Sequence, residues 1–131
     1  TSKLGGRQHY LRFDICKTPK LWSGNNFYYD SSLGYSDQPG FRCGTCYEYS
    51  MFDLNDRTAL QLKQRPLIIM ENSIINNNLK KLDNKNSIIN NFDYYIDICK
   101  QYNGDFTLLW HNSSFQFSES FKIYKKIISR N

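Results

Sequence analysis

The sequence predicts an α/β fold of mostly parallel strands alternating with helices, and three observations lead there. Pro66-Leu67-Ile68-Ile69-Met70-Glu71 is an apolar run without alternation, as expected of a strand covered by helices on both faces. Ile88, Ile89, Phe92, Tyr95, Ile96, Cys99 and Tyr102 then recur at helical spacing, with Ser87 as cap and Gly104 as stop. A second short run, Phe106–His111, follows that helix directly. Strand, helix, strand in that order is the repeating unit of the α/β class.

The remaining elements follow from local signals. Gly5-Gly6 allows a tight turn before a first strand read over Arg7–Phe13. Thr18 as N-cap and Pro19 at the first helical position predict a short helix ending at Gly24. Phe27–Asp30 reads as a second strand. Residues 31–52 are rich in Gly, Ser, Asp, Pro and aromatics without periodicity, the pattern of a functional loop. Residues 72–91 are dominated by Asn, Ile and Lys and read as a surface excursion leading into the helix from Ser87. The Ser-Ile-Ile-Asn-Asn copies at 73–77 and 87–91 are too short to be structural repeats. A last helix starts near Ser118, with Phe121, Tyr124, Ile127 and Ile128 on one face.

Length and charge narrow the function. The 131 residues suffice for one domain or part of one, and fall short of a closed eight-unit barrel, which needs roughly 200 or more. A net charge of +5 and a pI near 9.0 raise a nucleic-acid reading. The basic residues are dispersed, however, and the densest pairs, Lys80-Lys81 and Lys125-Lys126, read as solvated faces without a binding motif, so no nucleic acid is expected. No apolar run approaches the roughly 20 residues of a membrane span, so none is expected. With no apolar leader in view, the reading leans to the cytoplasm without fixing a location. Of four cysteines, Cys43 and Cys46 have CxxC spacing; without a second ligand pair they read as reduced structural thiols rather than half a zinc site.

Candidate site residues come from strand ends, where α/β proteins place their ligand crevice. The chain has two histidines, His9 within the first expected strand and His111 at the end of the last. Imidazole titrates near neutrality and ligates metals, so both are candidates for chemistry. In an extended strand Arg7, His9 and Leu11 share a face, with a fixed cation beside His9. Asp30 and Glu71 end their strands as carboxylates able to orient a histidine, although either could instead cap a turn. Aromatic residues make up 16% of the chain and crowd these segments, offering the apolar faces and polar handles that suit sugars.

Five blocks in order carry a family resemblance: Arg7–Phe13, Tyr29–Tyr35, Gly40–Cys46, Pro66–Glu71 and Leu108–Asn112. Together they resemble the second half of a polysaccharide-deacetylase-like family in the NodB-homology (carbohydrate esterase four) superfamily, which includes proteins found with bacterial surface-polysaccharide genes. The resemblance implies the C-terminal part of a distorted (β/α)7 barrel. It also implies removal of an acetyl group from an N-acetylated sugar with a divalent metal, zinc first among candidates. On that analogy His111 protonates the leaving amine and Arg7 holds the catalytic aspartate, whereas Glu71 and Asp30 are catalytic candidates by their expected strand-end placement. Tyr10, Tyr35, Arg42 and Trp110 are the expected substrate contacts. His9 has no counterpart in the family pattern; as a metal ligand it is an inference from its residue type. The paired aspartates and the histidine motif that hold the metal lie upstream of Arg7 in the family and are absent here, so the resemblance implies an incomplete, inactive half.

Two other classes compete: a non-catalytic carbohydrate-binding or assembly module, and a CxxC redox or metal module. Three or four strands cannot close a barrel, so residues 67–70 and 106–110 are expected to expose apolar faces. The expected partners are therefore an N-acetylated sugar or polysaccharide and either an N-terminal half or a second copy of the chain.

Overall fold

A computed structural model describes residues 3–79 and 85–130; the Lys80-Lys81 pair lies outside them. The fold is mixed α/β, with parallel strands and helices. Its elements are β1 (Gly5–Gly6), α1 (Thr18–Gly24), β2 (Tyr29–Asp30), β3 (Tyr49–Asp53), β4 (Thr58–Gln64), β5 (Ile69–Met70), α2 (Glu71–Leu79), α3 (Lys85–Gln101), β6 (Leu108–Leu109) and α4 (Ser118–Ile128). Two sheets result, one ordered β1-β2-β4-β3 and one of β5 beside β6. Among the described residues these strands do not close into a barrel.

In the larger sheet β1, β2 and β4 run parallel, aligning Gly6 with Asp30 and Asp30 with Gln64. Gly5 is needed for contact rather than for turning: a Cβ there would lie 2.3 Å from the Tyr29 ring. The glycines are thus the first strand, not a turn before it.

Arg7–Phe13 is a correction to the expected strand. His9–Leu11 is a 3-10 turn, and Tyr10 and Leu11 have φ of 59° and 51°, in the left-handed region. The chain leaves the sheet because its next polar groups pair with side chains and loop backbone: Gln8 N–H donates to Ser32 Oγ at 2.8 Å, and Arg7 Nε to the Ser31 carbonyl at 2.8 Å. Leu11 turns inward to burial and Tyr10 is left 80% exposed. Arg7, His9 and Leu11 therefore do not share a strand face.

The β3–β4 hairpin has no counterpart in the sequence reading, although Leu60, Leu62 and Gln64 alternate at the period of a strand. Asp53 Oδ1 shapes its turn, accepting from Asn55 N–H at 2.8 Å and Asp56 N–H at 3.2 Å. Of the Asn-rich segment, Glu71–Leu79 is a helix rather than an excursion, because Ile74 and Ile75 bury against α3, and residues 80–84 lie outside the described residues. Tertiary packing overrides the modest helix propensity of asparagine and isoleucine.

The core lies between β5 and helices α2, α3 and α4, around the fully buried Phe92, Ile68 and Ile69. Each such side chain contributes about 1.5–3 kcal/mol by leaving water. The open-faced expectation is corrected here: Leu67, Ile68 and Ile69 are at most 1% exposed, and residues 106–110 are half-buried. No helix among the described residues is long and apolar enough to cross a membrane.

Outside the core, Lys85 and Lys122 clamp Glu119 at 3.0 and 2.7 Å, tying α3 to the first turn of α4. Hydrogen bonds to these lysines, with their charges, hold the Glu119 carboxyl down at about 2 from 4.5.

Two measurements test this packing. Phe92→Ala should cost about 3–5 kcal/mol in chemical denaturation, whereas Leu21→Ala, at a 62% exposed position, should stay within about 0.5 kcal/mol. A depressed carboxyl stabilises the fold above its unfolded value and ceases to do so as pH falls through its folded one. The Glu119 clamp should accordingly weaken from pH 4.5 towards 2. By NMR its carboxyl should titrate near 2 at low ionic strength and move upward in about 1 M salt, where screening acts within roughly 3 Å. Titration at an ordinary value in low salt would show that the clamp does not form.

Candidate functional site

Glu71 is the first residue of α2, directly after β5, and its side chain is fully buried. Its Oε1 accepts three hydrogen bonds from the segment after β6: from His111 N–H at 2.9 Å, His111 Nδ1 at 2.7 Å and Ser114 Oγ at 2.9 Å. An oxygen that accepts a backbone N–H is an acceptor, so Nδ1 is the donor in its bond to Glu71. The His111 side chain is 43% exposed while Glu71 has no exposure. The positive end of α2 further favours a carboxylate at this position. Such an arrangement, with one ring nitrogen anchored in a partly exposed side chain, suits a histidine that takes up and delivers protons.

Among the described residues, buried Glu71 Oε2 and Trp110 Nε1 have no hydrogen-bond partner. Trp110 packs among Phe92, Phe115 and Tyr124, with ring centroids 6.2, 6.2 and 5.2 Å away. It forms the apolar wall behind His111.

A second polar cluster gathers at the carboxyl ends of β1, β2 and β4, which the parallel register aligns. Asp30 is fully buried and turns back on Ser32, accepting from its N–H at 2.9 Å and its hydroxyl at 2.6 Å. Gln64, aligned with Asp30 across β2 and β4, donates from Nε2 to the Arg65 carbonyl at 3.3 Å. Burial pushes the Asp30 carboxyl up, opposed by the Ser32 hydrogen bonds and by the Arg7 charge. Asp30 thus acts here as the cap of a buried turn. Arg7 adds a bond from Nη2 to Ser31 Oγ at 3.0 Å; burial lowers its pKa, with Asp30 and Tyr29 opposing.

Arg7 and Ser31 line a cavity of about 480 Å3, with Tyr29, Glu48, Arg65, Asp105 and Thr107 among the other walls. Arg65 lies 3.9 Å over the Tyr29 ring and pairs with Glu48 at 2.5 Å. The cavity opens between the carboxyl ends of β1, β2 and β4 and the amino end of β6. His111 lies beyond the opposite end of β6 and is not part of its lining. Arg7 and His111 therefore do not share this cavity.

The other expected residues are scattered. His9 is exposed on its 3-10 turn, edge-on to the Tyr10 ring at 4.3 Å. Arg42 donates to the Gly34 carbonyl at 2.9 Å and lies 5.9 Å from the Tyr35 ring, so this pair buttresses the loop. Of the CxxC thiols, Cys46 is buried and Cys43 half-buried, and both are free. Among the described residues no group of three His, Cys, Asp or Glu side chains comes together to hold a metal. These side chains do not by themselves form a complete metal site. The sequence reading passed over Ser114, Ser31, Ser32, Gln64 and Arg65. Only the alternation that places Gln64 on the inner face of β4 signals one of them beforehand.

Comparison with protein-family models, curated proteins and solved structures finds no match to this chain.

The Glu71 anchor makes a direct spectroscopic prediction. Long-range 1H–15N correlation should show neutral His111 protonated at Nδ1 and bare at Nε2; the opposite tautomer would rule the anchor out. Glu71→Ala removes the shared acceptor of three half-buried donors and should cost about 1 kcal/mol or more, at least as much as the roughly 1 kcal/mol expected of Ser114→Ala, which removes one of the three bonds.

Proposed function

We propose that this chain is part of a metal-dependent N-deacetylase of bacterial surface-polysaccharide metabolism, a hydrolase that cleaves the acetamide C–N bond of an N-acetylated sugar. The observation that carries the reading is His111, held at Nδ1 by a fully buried carboxylate while its side chain is 43% exposed. An amine is a poor leaving group until it is protonated. A histidine whose outer nitrogen can carry a proton to the departing nitrogen meets that need, and Glu71 stabilises the imidazolium that forms before transfer.

The five sequence blocks support the same reading, since they contain Arg7, Asp30, Glu71 and His111. The parallel strands β1, β2 and β4 and the β5–β6 pair are compatible with part of a distorted (β/α)7 barrel. On this proposal the metal, zinc by preference, takes its ligands from an N-terminal half that completes the domain. It supplies polarisation of the acetyl carbonyl when bound. Arg7, already fixed through Ser31, would hold a catalytic aspartate from that half.

One observation favours a non-catalytic carbohydrate-binding module as the second reading. The 480 Å3 cavity sets Arg7, Arg65, Glu48, Asp105 and Tyr29 around one space. Paired charges of both signs beside an aromatic face suit sugar hydroxyls and CH faces.

Acetate release from N-acetylglucosamine oligomers, measured with zinc supplied on the protein as its native gene encodes it, separates the readings. Turnover that falls about 10²–10⁴-fold in His111→Ala supports the deacetylase. Oligomer binding without acetate release, in a calorimetric titration, would leave the binding module. Neither turnover nor binding would overturn both.

A further inference from the structure

Cys46 and Cys99 belong to different elements and meet in the core. Cys46 ends the loop Cys43-Gly44-Thr45-Cys46, and Cys99 lies in the last turns of α3; they are 5% and 1% exposed. Both belong to one buried core cluster, and burial together with the neighbouring Cys46 thiol pushes the Cys99 thiol up to about 12. The residues just after α3 hold the backbone on both sides of the pair: Gly104 N–H donates to the Cys99 carbonyl at 2.8 Å and Asp105 N–H to the Cys46 carbonyl at 2.9 Å. Gly104 makes the approach possible, because a Cβ there would lie 2.1 Å from Cys46 Sγ.

Access distinguishes the two thiols. Cys46 lines the 480 Å3 cavity and also a smaller one of about 250 Å3 walled by Phe41, Tyr47, Ile98 and Tyr102. Cys99 lines neither. A small reagent therefore reaches Cys46 first, with Cys99 behind it. Cys43, the other member of the CxxC, is engaged elsewhere, with Tyr49 and with the Leu33 carbonyl at 3.8 Å.

We propose that Cys46 and Cys99 form a dithiol site that reacts with low-molecular-weight disulfides, glutathione disulfide being the representative, and closes an internal disulfide. The Cys46 thiol gives its proton to solvent and its sulfur attacks one sulfur of glutathione disulfide. That S–S bond breaks and one glutathione leaves as thiolate, which takes up a proton. Cys99 then loses its proton and attacks the Cys46 sulfur of the mixed disulfide, releasing the second glutathione. Two protein thiols lose two electrons, and one glutathione disulfide becomes two glutathiones. The new bond ties the loop before β3 to the end of α3.

The experiment is a disulfide map of the Cys16→Ser chain, which lacks the exposed thiol. The chain is incubated with glutathione disulfide, quenched in acid, alkylated with N-ethylmaleimide, digested and weighed. The expected product is a peptide pair joining Cys46 to Cys99, lighter by two hydrogens, with Cys43 alkylated and the link lost in dithiothreitol. Cys99→Ser should instead accumulate glutathione on Cys46, and Cys43→Ala should keep the 46–99 link. Should Cys99→Ser lose its cooperative melt, the map of the parent chain decides. A Cys43–Cys46 link would overturn the proposal. So would Cys46 and Cys99 both remaining alkylatable under conditions that glutathionylate Cys16 in the wild type.

Discussion

One carboxylate oxygen organises the carboxyl end of the smaller sheet. β5 and β6 share a ladder of two residues each, too short to fix the position of the segment downstream of β6. Glu71 Oε1 supplies the missing constraint by accepting a backbone N–H, a ring nitrogen's proton and a hydroxyl from residues 111–114. The bonds are made out of water, where a polar group left alone is costly and a satisfied one is strongly directional. The same contact that joins the start of α2 to the segment leaving β6 thus fixes the orientation of His111. Structural and chemical roles are carried by the same bond.

Asp30 shows the other outcome for a carboxylate at a strand end. It too is fully buried, but its partners are the N–H and hydroxyl of Ser32, two residues on. Its lone pairs are spent on a local turn, which in turn presents Ser31 to Arg7 and Ser32 to Gln8. Two buried acids therefore do different things. Glu71 reaches across to the segment after β6 and holds an imidazole, whereas Asp30 folds back and shapes a cavity rim.

The helices explain how so few ladder hydrogen bonds suffice. β5 and β6 have little backbone pairing, yet Ile68, Ile69 and Phe92 are almost wholly removed from water. Apolar burial on α2, α3 and α4 replaces the extended ladder as the source of cohesion. A face that looks unpartnered in a half-counted set of strands is consequently covered from within the chain.

Much of the helical organisation was legible in the sequence: α1 with Pro19 near its start, α3 with its apolar stripe and Gly104 stop, and α4 from Ser118 all rest on local capping and 3.6-residue periodicity. Of the expected strand ends, Asp30 closes β2, whereas Glu71 opens α2 and His111 lies two residues past the end of β6. Contacts between distant residues were decided only by the tertiary structure. Nothing near Tyr10 announces a left-handed turn, because that turn exists to satisfy Ser31 and Ser32. Glu71–Leu79 in the Asn-rich stretch is helical only because Ile74 and Ile75 find α3. Cys46 and Cys99 come together in one buried cluster, and Ser114 reaches Glu71, across long stretches of chain. Spacing in a linear sequence carries no signal for partners that only packing brings together.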